Sequence, residues 1–238
     1  MALDQVLLSQ GQAALRLYQW SQPCLSLGKL QMGFADLNPT FGQAQGLDLV
    51  RRATGGQAVL HHLELTYSFV GPTPPFGKKI LDSYSQISAC LQAWLQGLGV
   101  TVQAAGLAKF RPQSSHCFLE PGAKEILIDG KKLIGSAQVR QRHAFLQHGA
   151  VLLDLDDRLW QGLWPEADSG RFTSLKAVLG RSLQPAEWED SLPQAFAQGF
   201  GAKLEVRDFS PQELALAQEL APRYQVDWSR LQPPLANS

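Results

Sequence analysis

The sequence predicts an α+β fold of the α/β type: one domain with a mixed, mostly antiparallel sheet flanked by helices. Three observations predict it. A single apolar stripe, Ile80, Tyr84, Ile87, Leu91, Trp94, Leu95 and Leu98, recurs at spacings of three and four and marks a long amphipathic helix. Around it lie segments rich in β-branched and aromatic residues, and Asp129-Gly130 between two of them is a strong two-residue hairpin signal. A length of 238 residues, 45% of them apolar and 18% charged, suits one sizeable globular domain. That domain is expected to span residues 1–238, with a helical tail from about residue 185.

Each element has its own warrant. Ala58–Val70 reads as two short strands or one bent strand, ending in Gly71–Gly77, where neighbouring prolines exclude helix. The striped helix follows and stops at Gly97 and Gly99. Val100–Ala104 continues as a strand. Glu125–Ile128 and Lys132–Ile134 flank the Asp129-Gly130 turn, which Lys131 can lengthen, and Gly135-Ser-Ala137 reads as a second turn. Ala150–Leu153 is a further buried strand. In the tail, helical patterns around Trp188–Phe200 and Pro211–Tyr224 enclose a short strand at Lys203–Arg207.

Composition excludes several functions. Lys and Arg number 21, as do Asp and Glu, so binding to nucleic acid through bulk charge is disfavoured. Cys24, Cys90 and Cys117 form no CxxC pair, which argues against a disulfide framework or a structural zinc site. The N-terminal residues lack a signal-peptide pattern, and no apolar run approaches the ~20 residues that span a bilayer. A cytoplasmic protein without membrane contact is expected. A monomer is also expected, since no heptad pattern is visible.

Three segments carry possible chemistry. In Arg51-Arg52-Ala-Thr-Gly55-Gly56, paired glycines let backbone amides approach a bound group, and the arginines add permanent charge. A tight turn with two solvated arginines is the plainer reading. In Lys131-Lys132-Leu-Ile-Gly135-Ser136-Ala137-Gln138, Lys132 shares a strand face with Ile134 and points inward, whereas Lys131 reads as a solvated hairpin end. Cys117 lies in a polar, proline-bounded loop that suits a nucleophile, with His116 or Lys132 as the group that activates it. Cys24 and Cys90 read as small buried hydrophobes. His61-His62 lacks a second ligand pair, so no metal is expected, and His148 is expected to orient backbone or line a pocket. From Gly130 to Leu153 there is no acidic residue but Lys131, Lys132, Arg140 and Arg142 occur, a candidate docking strip for an acidic partner.

Together these segments resemble a known family. Arg51–Gly56 with His61, Leu65-Thr-Tyr-Ser68, Lys132–Gln138, Gln147-His148-Gly149, Trp20, Pro23, Leu25–Gly28, Gln31 and Thr173–Leu175 are similar to the biotin/lipoate ligase catalytic-domain superfamily. Within it they resemble the branch of lipoate–protein ligases and octanoyl-carrier-protein:protein octanoyltransferases. Gln57 and His62 depart from the basic residue and the Asp usual there.

The resemblance implies a tunnel for a medium-chain acyl group. Cys117 and Lys132 would be catalytic, the lysine contacting the acyl carbonyl. Arg51, Arg52, Gly55, Gly56, His61, Gly135, Ser136, Ala137, Gln138, His148 and Gly149 would line the acyl and carrier pocket, with turn amides at Gly135–Ala137 holding the oxyanion. It implies transfer of an octanoyl or lipoyl group from octanoyl-acyl carrier protein to a lysine of a lipoyl-carrier domain, in glycine-cleavage H protein or a 2-oxoacid dehydrogenase E2. No cofactor is then needed. The alternatives are a lipoate–protein ligase using ATP and Mg, an amidotransferase between lipoyl proteins, and a non-catalytic acyl- or partner-binding scaffold. The short chain, without room for the accessory domain of many ligases, favours the transferase.

Overall fold

Nine strands are present in the computed structural model, which describes residues 1–32, 34, 36–74, 76–104 and 126–231. They are β1 (Ala14–Tyr18), β2 (Cys24–Leu27), β3 (Asp48–Arg51), β4 (Val59–His61), β5 (Glu64–Pro72), β6 (Gln103–Ala104), β7 (Ile126–Ile128), β8 (Lys131–Arg140) and β9 (Ala144–Leu152). The large sheet runs β1-β5-β9-β8-β7-β6, every neighbouring pair antiparallel. The small sheet runs β3-β2-β4, with β2 parallel to β3 and antiparallel to β4. The expected mixed, mostly antiparallel architecture is present.

The striped helix, α3 (Ile80–Gly97), which follows α1 (Ala2–Gln10) and α2 (Pro39–Ala44), lays Ile87, Leu91, Trp94 and Leu95 against Tyr67, Phe69 and Phe145 on one face of the large sheet. A second helix on that face, Ser191–Phe200, adds Leu192 and Phe196 to the same core. The opposite face is covered at one end by α1 (Ala2–Gln10), through Leu7 and Leu8 on Val70 and Leu146. Strands sandwiched in this way read as continuous apolar runs, and every residue of β9 is buried. Among the described residues no helix is long and apolar enough to cross a membrane.

Several local expectations change. Ala58–Val70 becomes two strands in two different sheets, joined through Leu63, whose φ of 52° turns the chain sharply. Asp129 and Gly130 take φ of 50° and 75°, and Ile128 pairs directly with Lys131, so the hairpin loop has two residues and Lys131 opens β8. Gly135–Ala137 is not a turn: it runs inside β8, paired with Gly149 and its neighbours on β9. Local small-residue chemistry looked turn-like, but long-range ladder pairing decides the conformation. The strand after α3 shrinks to Gln103–Ala104. Lys203–Arg207 is not a strand, and among the described residues no strand pairs with it: Leu204 and Val206 stay exposed and Arg207 bonds the Glu213 carboxylate. The tail instead returns to the small sheet, where Val226 N–H donates to the Leu49 carbonyl.

Candidate active site

The glycine loop is held from within. Gly28, at the end of β2, has no room for a side chain, since a Cβ there would fall 1.8 Å from the Gly56 carbonyl oxygen. Arg51 donates through Nη1 to the carbonyls of Gly28 and Gln31, at 2.7 and 2.9 Å. Arg52 is buried and donates to the carbonyls of Ser26, Gly55 and Gln57. Neither arginine is the solvated side chain of the plainer reading; both act as internal clamps on the loop. Gly55 and Gly56 remain exposed at its rim.

From Arg52 two polar chains run in opposite directions. Arg52 Nε donates to Thr54 Oγ1 at 3.1 Å, and Thr54 Oγ1 meets His148 Nε2 at 2.7 Å. His148 Nδ1 lies 3.8 Å from Asp4 Oδ2, and Arg16 bonds the other oxygen of Asp4 at 2.7 Å. On the other side, Arg52 Nη1 reaches Ser26 Oγ at 3.2 Å, and Ser26 Oγ meets His61 Nε2 at 2.7 Å. His61 Nδ1 bonds Glu64 Oε1 at 2.7 Å, and Thr66 donates to the same oxygen at 2.6 Å while accepting from Trp20 Nε1. The Trp20 ring stacks on His61 with centroids 4.4 Å apart. Burial pushes the His148 imidazolium below its ordinary range, against the pull of Asp4. Burial opposes the charge of Asp4, yet His148 and Arg16 together hold its carboxyl well below the usual carboxylate range.

Arg52, His61, Gly135, Ser136, Ala137, His148 and Gly149 line one small, largely apolar cavity of about 30 Å³, together with Tyr18, Ser26, Val59 and Thr66. Seven of the expected pocket residues are thus brought together. Arg51, Gly55, Gly56 and Gln138 are not part of this lining. Ser136 contributes little more than backbone, because its Oγ bonds Tyr67 Oη at 2.7 Å on the far face of the sheet. Gln138 turns to that face as well and bonds Gln147 and Ser83. Gly149 is required there: a Cβ would come within 2.6 Å of the Tyr67 ring and 2.7 Å of the Gly135 carbonyl.

Lys132 is buried, at 1% exposure. It does not share a face with Ile134. A register shift in the β7–β8 ladder pairs Lys132 with Leu127 and Ile134 with Ile126, leaving Leu133 as the extra residue, and both Leu133 and Ile134 enter the α3 core. Alternation then leaves Lys132 on the other face, that of His148 and Ala150. Lys131 and Arg142 are exposed, but Arg140 is spent on the carbonyls of Gly77 and Lys78 and on Ser83, so the basic stretch is not one continuous surface. Cys117 and His116 lie outside the described residues. Cys24 and Cys90 are buried thiols, pushed up by burial to about 12 and about 11.

Sequence reasoning missed Asp4, Ser26, Thr54 and Glu64 as members of the site. Asp4 has the ordinary look of an acid in a first helical turn. Glu64 carried a usable signal: it stands three residues from His61 at the mouth of an apolar strand, where an unpaired carboxylate would be costly.

Comparison with known proteins agrees with this architecture. The octanoyltransferase LipM of Kyrpidia tusciae is 36% identical over 251 residues, covering 95% of this chain and 92% of that protein. LipM of Brevibacillus brevis is 35% identical over 254 residues, with the same coverages of 95% and 92%. A crystal structure of lipoate-protein ligase A bound with ATP superposes with a TM-score of 0.79 at 21% identity, over 96% of this chain and 89% of the other. The lipoyl protein ligase A/B catalytic domain model matches residues 1–197, and the chain belongs to that family.

Proposed function

We propose that this protein is a cytoplasmic octanoyltransferase that moves an octanoyl group from acyl carrier protein to a lysine of a lipoyl-carrier domain, through a thioester on Cys117. The observation that carries the reading is the likeness to octanoyltransferase LipM over 95% of this chain, with a small, largely apolar cavity beside the strand that bears the buried Lys132. The names of the LipM relatives support the acyl group. A structural neighbour described with its E2 lipoyl domain, from Thermoplasma acidophilum, supports the acceptor class.

The Cys117 thiolate attacks the thioester carbonyl of the donor. The C–S bond to the carrier breaks, and the carrier leaves as a thiolate that takes up a proton. The neutral amine of the acceptor lysine then attacks the enzyme thioester, Cys117 leaves as thiolate, and the amine loses its proton as the amide forms. Exchange of one thioester for another is near balance and aminolysis is downhill, so neither ATP nor a metal is required. Lys132 supplies positive charge to the oxyanion and to the thiolate. Since Gly135–Ala137 is a strand rather than a turn, the amide donor is sought on its edge away from β9: the Ser136 carbonyl accepts from Tyr84 Oη, so its N–H faces away from β9 as well.

The test is incubation with octanoyl-acyl carrier protein and no ATP, read by intact mass. An octanoyl adduct on the wild-type chain, absent in Cys117→Ser together with transfer, supports the reading. Undiminished transfer by Cys117→Ser, or strict dependence on ATP, overturns it.

A further inference from the structure

The two histidines of the cavity are built as mirror images about one arginine. A guanidinium only donates hydrogen bonds. Ser26 Oγ and Thr54 Oγ1, each reached by an Arg52 N–H at 3.2 and 3.1 Å, must therefore accept from Arg52. Each hydroxyl has one proton of its own, and each lies 2.7 Å from the Nε2 of a histidine. The hydroxyl proton is directed to that nitrogen, which must then carry a lone pair. The remaining ring proton sits on Nδ1, and on both rings Nδ1 faces a carboxylate: Glu64 Oε1 at 2.7 Å for His61, and Asp4 Oδ2 at 3.8 Å for His148. In the His61 arm every donor then has an acceptor, whereas the His148 Nδ1–H faces Asp4 at an ion-pair distance too long for a hydrogen bond. Trp20 and Thr66 repeat the rule at the end of one chain, since an indole N–H only donates and Thr66 must pass its own proton to Glu64.

We infer that Arg52 is a positioning residue that fixes both His61 and His148 as neutral Nδ1–H imidazoles, each with its Nε2 capped by a hydroxyl. Neither histidine then has a free lone pair to take a proton or a free proton to give. Both are removed from acid–base chemistry, although they line the cavity. The wall beside the acyl chain carries no imidazolium, and the charge of Arg52 is shared with two carboxylates through neutral rings instead of standing against hydrocarbon. The consequence for catalysis rests on the octanoyl-transfer reading, in which proton traffic falls to Cys117 and Lys132. The tautomers themselves do not depend on it.

The experiment is long-range ¹H–¹⁵N spectroscopy of the full chain labelled at its 5 histidines, at neutral pH and without substrate. Two rings are expected as Nδ1–H tautomers, favoured at least about fivefold, since the other tautomer would leave a buried hydroxyl proton without an acceptor, a loss of about 1–3 kcal/mol. Ser26→Ala should release only His61 from this state and Thr54→Val only His148. Thr54→Ser, which keeps the hydroxyl, should restore the second. Arg52→Lys should disturb both, since one ammonium cannot reach both hydroxyls with the same geometry. Imidazolium or Nε2–H signals for either ring in the wild-type chain overturn the inference, even if no variant folds. So do hydroxyl variants that leave both rings unchanged. Correct tautomers in a protein that transfers no octanoyl group would leave this assignment standing and remove the transferase reading instead.

Discussion

The two faces of the large sheet each carry a buried polar network, and the networks are made of different material. On the face of His148, the chain from Asp4 through Arg52 to Glu64 is built from ions and imidazoles joined by the Thr54 and Ser26 hydroxyls. On the face of α3, the chain from Ser136 through Tyr67, Gln147 and Gln138 to Ser83 is built from hydroxyls and amides, with one cation, Arg140, at its outer end. Both reach the cavity, one through side chains and the other only from behind Ser136 and Gly149. The difference shows what each face is for. Neutral groups are enough to hold a sheet on a helix, whereas the costlier ionic chain is found where a loop must be clamped beside a ligand space.

Several measurements can break or sharpen this contrast. The largest effect is expected for Asp4→Asn, which leaves Arg16 without its buried partner and should cost about 3–5 kcal/mol in denaturant unfolding. Gly149→Ala strikes the neutral face instead, driving a methyl into Tyr67 and Ser136, and should cost about 1–3 kcal/mol. Gln147→Leu leaves the Gln138 amide and the Tyr67 hydroxyl without their shared partner and should also cost about 1–3 kcal/mol.

Titration separates the faces most cleanly. His148 is kept neutral by burial, so below about pH 6.5 the unfolded chain binds one more proton than the fold. Stability then rises with pH across that window and falls on acidification, by up to about 1.4 kcal/mol per pH unit. His148→Gln should flatten the slope and Gln147→Leu should leave it intact; equal slopes in all three proteins would remove the distinction. Trp20→Phe is the smallest change, keeping a ring on His61 but losing one donor to Thr66, at about 1 kcal/mol.

What could be read from the chain was whatever is decided locally. The stripe of α3 and the Asp129-Gly130 hairpin are set by residues a few positions apart, and both were readable. The resemblance also picked out seven residues that line one cavity. Whether Gly135–Ala137 is turn or strand is decided by β9, and Lys132 changes face because of one extra residue opposite Leu127. Asp4 was unreadable as a site residue, because only its contact with His148 and Arg16 distinguishes it from any helix-start acid.

The two arms that meet at Arg52 differ in one more respect, the length of chain each must close. His61 and Glu64 are 3 positions apart, so that arm forms almost as soon as the corner at Leu63 does. Thr54 and His148 are 94 positions apart, and their contact waits until β9 has joined β5. Loop-closure entropy and contact order place the first arm early in folding and the second late. The polypeptide thus acquires its ligand space in halves: a locally made wall first, and a long-range wall that completes it only when the sheet is assembled.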